Sequence, residues 1–145
     1  MTKVRFKIIP TAYLVLMKEN KILLSRRWNT GFHDGEFSFP AGHIKPDETL
    51  IQAMVREAKE EIGIELTREG LKLVHIIHRK EPNENRVNFF FTAEKWKGKP
   101  KIMEPHKCDA LEWFNVNSLP DNTIPYIRHA IKCISQKIFY SEYGW

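Results

Sequence analysis

Residues 42–64 read GHIKPDETLIQAMVREAKEEIGI, and their spacing decides the architecture. Ile51, Val55, Ala58 and Ile62 recur at i, i+4, i+7 and i+11, which lays one apolar stripe along a helix. At 3.6 residues per turn, Arg56, Glu57, Glu60 and Glu61 gather on the opposite side. Pro46-Asp47 reads as a turn, and Glu48-Thr49 offers an acid and a hydroxyl at the helix start. Gly63 stands where a left-handed C-cap is expected. Three carboxylates at i, i+3 and i+4 repel, so a bare helix gains nothing from them. A divalent cation turns that repulsion into ligation, because hard cations take carboxylate oxygens. A solvated face with Arg56 paired to Glu60 is the simpler reading of an isolated acidic run.

The wider pattern shifts that balance. Gly42, five residues, Glu48, seven residues and then Arg56-Glu57-Ala58-Lys59-Glu60-Glu61-Ile62-Gly63-Ile64 resembles the Nudix box. The family writes it G-x5-E-x7-R-E-U-x-E-E-x-G-U, with U a bulky apolar residue, and small Ala58 is a mild departure. So many fixed positions in one stretch make the signal specific. The resemblance implies Mg²⁺ ligands at Glu57, Glu60 and Glu61, with Mn²⁺ able to substitute. It also implies a backbone carbonyl at Ala41 or Gly42 in the same shell. Arg56 and Glu48 resemble the pair that orients the glutamates, a supporting role. The substrates it implies are nucleoside diphosphates linked to another group.

A diphosphate resists attack because its negative oxygens repel a nucleophile. Metal ions neutralise that charge and acidify a bound water, and a carboxylate takes the water's proton. Glu57 is the first candidate base. Glu104, in the loop Met103-Glu104-Pro105-His106, is the second, since several relatives place a ligand or base there.

Specificity has to come from outside the box. Arg26-Arg27 closes the second strand, where MutT-like members bring an arginine to the phosphates, although an exposed strand end explains it equally well. Asn122 resembles a purine-reading asparagine of some MutT relatives, though a turn asparagine before a helix is commoner. Phe37 and Phe39 could stack on a base, while alternating aromatics on a strand place at least one in the core. His43, beside the box glycine, is a further phosphate contact to consider. The six histidines show no H-x3-H spacing.

At 145 residues the chain fits one domain, 1–145, with no repeats or linkers. Its 42% hydrophobic and 28% charged residues are those of a soluble globular protein. No apolar run suits a membrane span and no signal peptide follows Met1, so a cytoplasmic location is expected. Cys108 and Cys133 lack metal or redox spacing and are read as reduced thiols. A net charge of +5 suits a polyanionic ligand as small as a nucleotide, but the basic residues are scattered. No common nucleic-acid-binding motif is visible, so no stable nucleic-acid or membrane partner is expected.

Strands are expected at 7–17, with Pro10 at an edge or bend, and at 22–27, 36–39, 72–80, 87–95 and 111–115. A final helix is expected over 125–140, with Ile127, Ile131, Ile134 and Ile138 on one face. The aromatic tail 139–145 is left with three roles: covering the core, closing the pocket or joining a homodimer. Strands on both sides of one helix, closed by another, suggest an α/β protein. That matches the α/β/α sandwich with a mixed sheet of the Nudix fold. Three functions follow: a MutT-like triphosphate pyrophosphohydrolase, an ADP-ribose or nucleotide-sugar pyrophosphatase, or a nucleotide- or RNA-binding module without catalysis. The intact box disfavours the last.

Overall fold

The computed structural model describes residues 3–145. In chain order its elements are β1 (Ile9–Val15), β2 (Met17–Lys18), β3 (Lys21–Arg27), β4 (Phe37–Ser38), β5 (Ala41–His43), α1 (Leu50–Ile62), β6 (Leu71–Glu81), β7 (Glu84–Ala93), β8 (Cys108–Asn115), α2 (Pro125–Ser135) and β9 (Tyr140–Tyr143). A mixed sheet runs β5-β1-β7-β6-β9, with β1 parallel to β7 and β9 parallel to β6. In a second, antiparallel sheet β8 pairs β3 along its length, while β2 and β4 pair opposite ends of β3.

Alternation along β1 explains the two-sided core. Ala12, Leu14 and Leu16 pack with Met54, Ala58 and Ile62 of α1. Tyr13 and Val15 point the other way and join Ile127, Ala130 and Ile131 of α2. The expected sandwich with a mixed sheet is therefore present. Pro10 pairs with Val87 of β7, but β5 covers β1 only from Thr11 to Tyr13. The residue without an N–H thus lies where that flank of β1 is open.

Helix α1 starts and stops where its sequence says. The Thr49 side chain accepts from Gln52 N–H, and the Gln52 side chain accepts from Thr49 N–H, a reciprocal capping box. Gly63 takes φ 70°, and its N–H donates to the Lys59 carbonyl. The buried stripe is turned slightly from the expected one. Ala53, Met54, Ala58 and Ile62 are buried, while Ile51 and Val55 are half-buried. That rotation recesses Glu57 and Glu61 instead of facing them to solvent.

Three expectations need correction. The helix expected to reach residue 140 ends at Ser135, Lys137 adopts φ 58°, and the chain returns as β9 beside β6. Pairing with the open edge of β6 outweighs the helical periodicity, and Ile138 is left exposed. The aromatic tail covers that edge, with Trp145 Nε1 donating to the His78 carbonyl at 3.1 Å. The hairpin between β6 and β7 is tight, and the strands expected to end at 80 and restart at 87 run on to Glu81 and from Glu84. Only Pro82-Asn83 lie between the strands, so Arg79 pairs with Arg86 and Glu81 with Glu84. Ala41–His43 forms a separate strand beyond the one expected at 36–39.

Cys108 and Cys133 are both free. No helix among the described residues is long and apolar enough to cross a membrane.

Candidate active site

One side chain organises the box. Arg56 Nε donates to Glu48 Oε2 at 2.6 Å and Nη2 to Glu48 Oε1 at 2.8 Å, a two-point grip on the loop before α1. Nη2 also donates to the His43 carbonyl at 3.1 Å. Nη1 faces the helix, at 2.7 Å from Glu57 Oε1 and 3.0 Å from Glu60 Oε2. The guanidinium thus ties β5, the loop and α1 together through charge-assisted bonds. Its hydrogen bonds hold the Glu48 carboxyl down at about 2.

The other carboxylates are strained in the opposite sense. The Ala41 N–H donates to Glu61 Oε2 at 3.0 Å, yet burial, and after it the charge of Glu57, pushes Glu61 up to about 8. Burial also raises Glu57, against the pull of Arg56. Gly42 makes this crowding feasible, because a Cβ there would overlap the Glu57 Cγ and Cδ.

These groups open onto a cleft of about 800 Å³. Of the residues singled out from sequence, Glu57, Glu61, Arg56, Ala41, Gly42, Arg26, Arg27, Phe39 and Glu104 all line it. Glu48 and Glu60 are not in the lining and reach it only through Arg56. Arg26 grips Asp109 with Nε at 2.7 Å and Nη2 at 3.0 Å, so its fork is already engaged. Arg27 donates to the Phe32 carbonyl and to Thr30, bracing the loop at the cleft mouth. Phe39 is buried against Phe90, and Phe37 packs on Phe114 away from the cleft.

Asn122 does not join the cleft. Its Nδ2 donates to the Gly35 carbonyl at 2.8 Å, a long-range tie to the loop before β4 and not the turn or cap role expected beside purine recognition. His43 lines the cleft, but its Nε2 meets Arg86 Nη1 at 3.1 Å, and burial lowers its pKa. Among the lining residues that went unread in the sequence are Thr11, Tyr13, Arg79, Arg86 and Tyr126. They lie on strands β1, β6 and β7 and at the start of α2, and only pairing of the strands brings them together.

The chain matches the family model described as NUDIX domain over residues 7–132. It is 29% identical over 116 residues to an 8-oxo-dGTP diphosphatase of Escherichia coli, covering 79% of this chain and 88% of that protein. It is 33% identical over 106 residues to an ADP-ribose pyrophosphatase of Methanocaldococcus jannaschii, covering 73% of this chain and 61% of that protein. The structure of a MutT NUDIX hydrolase from Burkholderia pseudomallei superposes with a TM-score of 0.79 at 26% identity, covering 87% of this chain and 97% of that one. The chain belongs to the Nudix family. Its class is accordingly that of the pyrophosphohydrolases, which hydrolyse phosphorus-containing acid anhydrides.

Nudix hydrolases generally use divalent metal ions. The residues here fit such an ion in chemistry. Two recessed carboxylates offer hard oxygens, and Glu61 is a buried acid whose charged form lacks a cation. Among the described residues no three His, Cys, Asp or Glu side chains converge as a ready-made ligand set. Arg56 instead holds one oxygen each of Glu57 and Glu60.

The Glu61 shift has a consequence for stability. The unfolded chain ionises this group near its ordinary 4.5, the folded one near 8. Between those values only the unfolded state loses the proton, so this contribution to stability declines as pH rises from 4.5 through 8. Melting of the metal-free protein across that window is expected to fall more steeply for wild type than for Glu61→Gln. Parallel pH profiles for the two would show that Glu61 is not protonated in the folded state.

Proposed function

We propose that the chain is a Mg²⁺-dependent pyrophosphohydrolase of nucleoside triphosphates, releasing the monophosphate and pyrophosphate. Glu57 and Glu61 are the leading metal ligands, with Glu60 and the backbone at Ala41–Gly42 completing the shell. The observation that carries this reading is the recessed Glu57–Glu61 pair opening onto a cleft whose walls bear Arg26, Arg27 and Lys107. Such walls suit a polyphosphate, and the volume suits a nucleotide. A name given to a relative of similar length, 8-oxo-dGTP diphosphatase, supports the triphosphate reading.

The chemistry a divalent cation supplies there is charge neutralisation at the diphosphate and activation of water. The chain's own residues set the geometry. Arg56 fixes Glu57 by its Nη1 and fixes the loop by Glu48, so the carboxylate and the glycine turn move as one unit. The water oxygen bonds to one phosphorus of the α–β bridge, that phosphorus loses its bond to the bridging oxygen, and the electron pair departs with the leaving group, pyrophosphate for attack at the α-phosphorus or the monophosphate for attack at the β-phosphorus. Glu57 accepts the water's proton, a role its burial-raised basicity favours. Glu104, across the cleft with Lys107 Nζ at 3.8 Å, is the second candidate.

A panel of nucleotides with Mg²⁺ or Mn²⁺, scored by product identity, tests the proposal. Pyrophosphate from triphosphates is the expected product. Monophosphate plus a phosphorylated sugar would instead mark an ADP-ribose or nucleotide-sugar pyrophosphatase, the activity named for the archaeal relative. Tight nucleotide binding without turnover under any metal would mark a binding module.

A further inference from the structure

The wall of the cleft formed by β6, β7 and the start of α2 carries buried polar groups. Arg79 is 1% exposed, and its guanidinium lies 3.9 Å over the Tyr126 ring. Nη1 is committed to Glu81, while the buried Nε–H has no partner among the described residues. Arg86 stands opposite Arg79 in the hairpin and is paired with Glu84. Behind the lining, Asn88 is fully buried between Thr11 and Ile77 with neither atom of its amide partnered, but it does not reach the cleft. Buried polar groups left this way cost free energy unless something supplies the missing bonds.

The charge balance says what that something is. Arg79 and Arg86 are each offset by a glutamate, so this wall is close to neutral. An anion placed there would be buried without a counter-charge, whereas a neutral group with ring acceptors adds bonds at no such cost. With Nη1 taken, the side-on Nε–Nη2 edge of Arg79 is the part of the fork without a hydrogen-bond partner among the described residues. Two parallel donors match two adjacent acceptors, the arrangement of O6 and N7 in a 6-oxopurine. Adenine puts a donor at the first of those positions, and 8-oxoguanine puts a hydrogen on the second.

We propose that this wall of the cleft is a base subsite for an unmodified 6-oxopurine, with Arg79 the specificity-determining residue donating to O6 and N7. This deepens the nucleotide reading above and rests on it. Tyr126 holds the guanidinium flat, and its hydroxyl is 3.1 Å from that of Tyr13, closing the far wall.

Calorimetric binding of GMP, AMP, 7-deaza-GMP and 8-oxo-GMP to the whole chain in Mg²⁺ tests this without requiring turnover. GMP is expected to bind roughly tenfold or more tightly than each of the other three. Arg79→Lys keeps the charge but loses the Nε–H edge. It is expected to erase the GMP preference while leaving AMP affinity within about threefold. Equal affinity for GMP and 7-deaza-GMP, a comparison made on wild type alone, would overturn the subsite, as would a GMP preference that survives Arg79→Lys. A GMP preference with no triphosphate hydrolysis would sink the proposed activity and leave the subsite standing. Triphosphate hydrolysis with no GMP preference would do the reverse. Failure of every nucleotide to bind together with no triphosphate hydrolysis would sink both.

Discussion

Glu57→Gln is expected to lower Mg²⁺-dependent turnover by roughly 10²–10⁴-fold, the range associated with loss of a general base. The substitution preserves size and removes the negative charge. Glu57 lines the cleft and is recessed enough for burial to raise its pKa, so its charge faces the cleft and not bulk water. The fold should survive, because Arg56 keeps Glu48 and Glu60 as partners and the helix stripe Met54-Ala58-Ile62 is untouched. Steady-state kinetics beside a melting curve checks the expectation. Turnover within a few-fold of wild type would remove Glu57 from the reaction.

Gly42→Ala should be nearly as damaging, by position and not by charge. The added methyl would occupy the space of the Glu57 Cγ and Cδ. Neither side can yield easily: β5 is held by β1, where Gly42 pairs with Ala12, and Glu57 is held by Arg56. Displacing the carboxylate by about 1 Å is enough to cost on the order of 10²-fold in rate. Loss of kcat with retained binding of the nucleotide product is the expected pattern. A fully active Gly42→Ala would mean that Glu57 works in a different position from the one described.

The box and the helix that carries it were legible because their signals are local. Thr49, Gln52 and Gly63 cap the helix through neighbours in sequence, and the Glu48–Arg56 pair spans only a loop. The polar wall of the cleft was not legible. Arg79, Arg86 and Tyr13 become neighbours only through the register of β1, β6 and β7, which depends on a two-residue turn at Pro82-Asn83. In the linear sequence they read as ordinary alternating positions. The tail failed for a related reason: the isoleucine spacing over 127–138 is helical, but an open edge on β6 captures Tyr140–Tyr143. Asn122 shows the opposite error, a residue with a suggestive position whose side chain is spent on the Gly35 carbonyl.

Glu57 and Glu61 are the proposed divalent-metal site. Calorimetric titration of Mn²⁺ into the wild-type protein and into Glu57→Gln/Glu61→Gln at one pH above 8, where Glu61 is ionised, tests it most directly. Saturable binding to the wild type, lost in a double variant that still melts cooperatively, is the result predicted. Undiminished Mn²⁺ affinity in the folded double variant would contradict it.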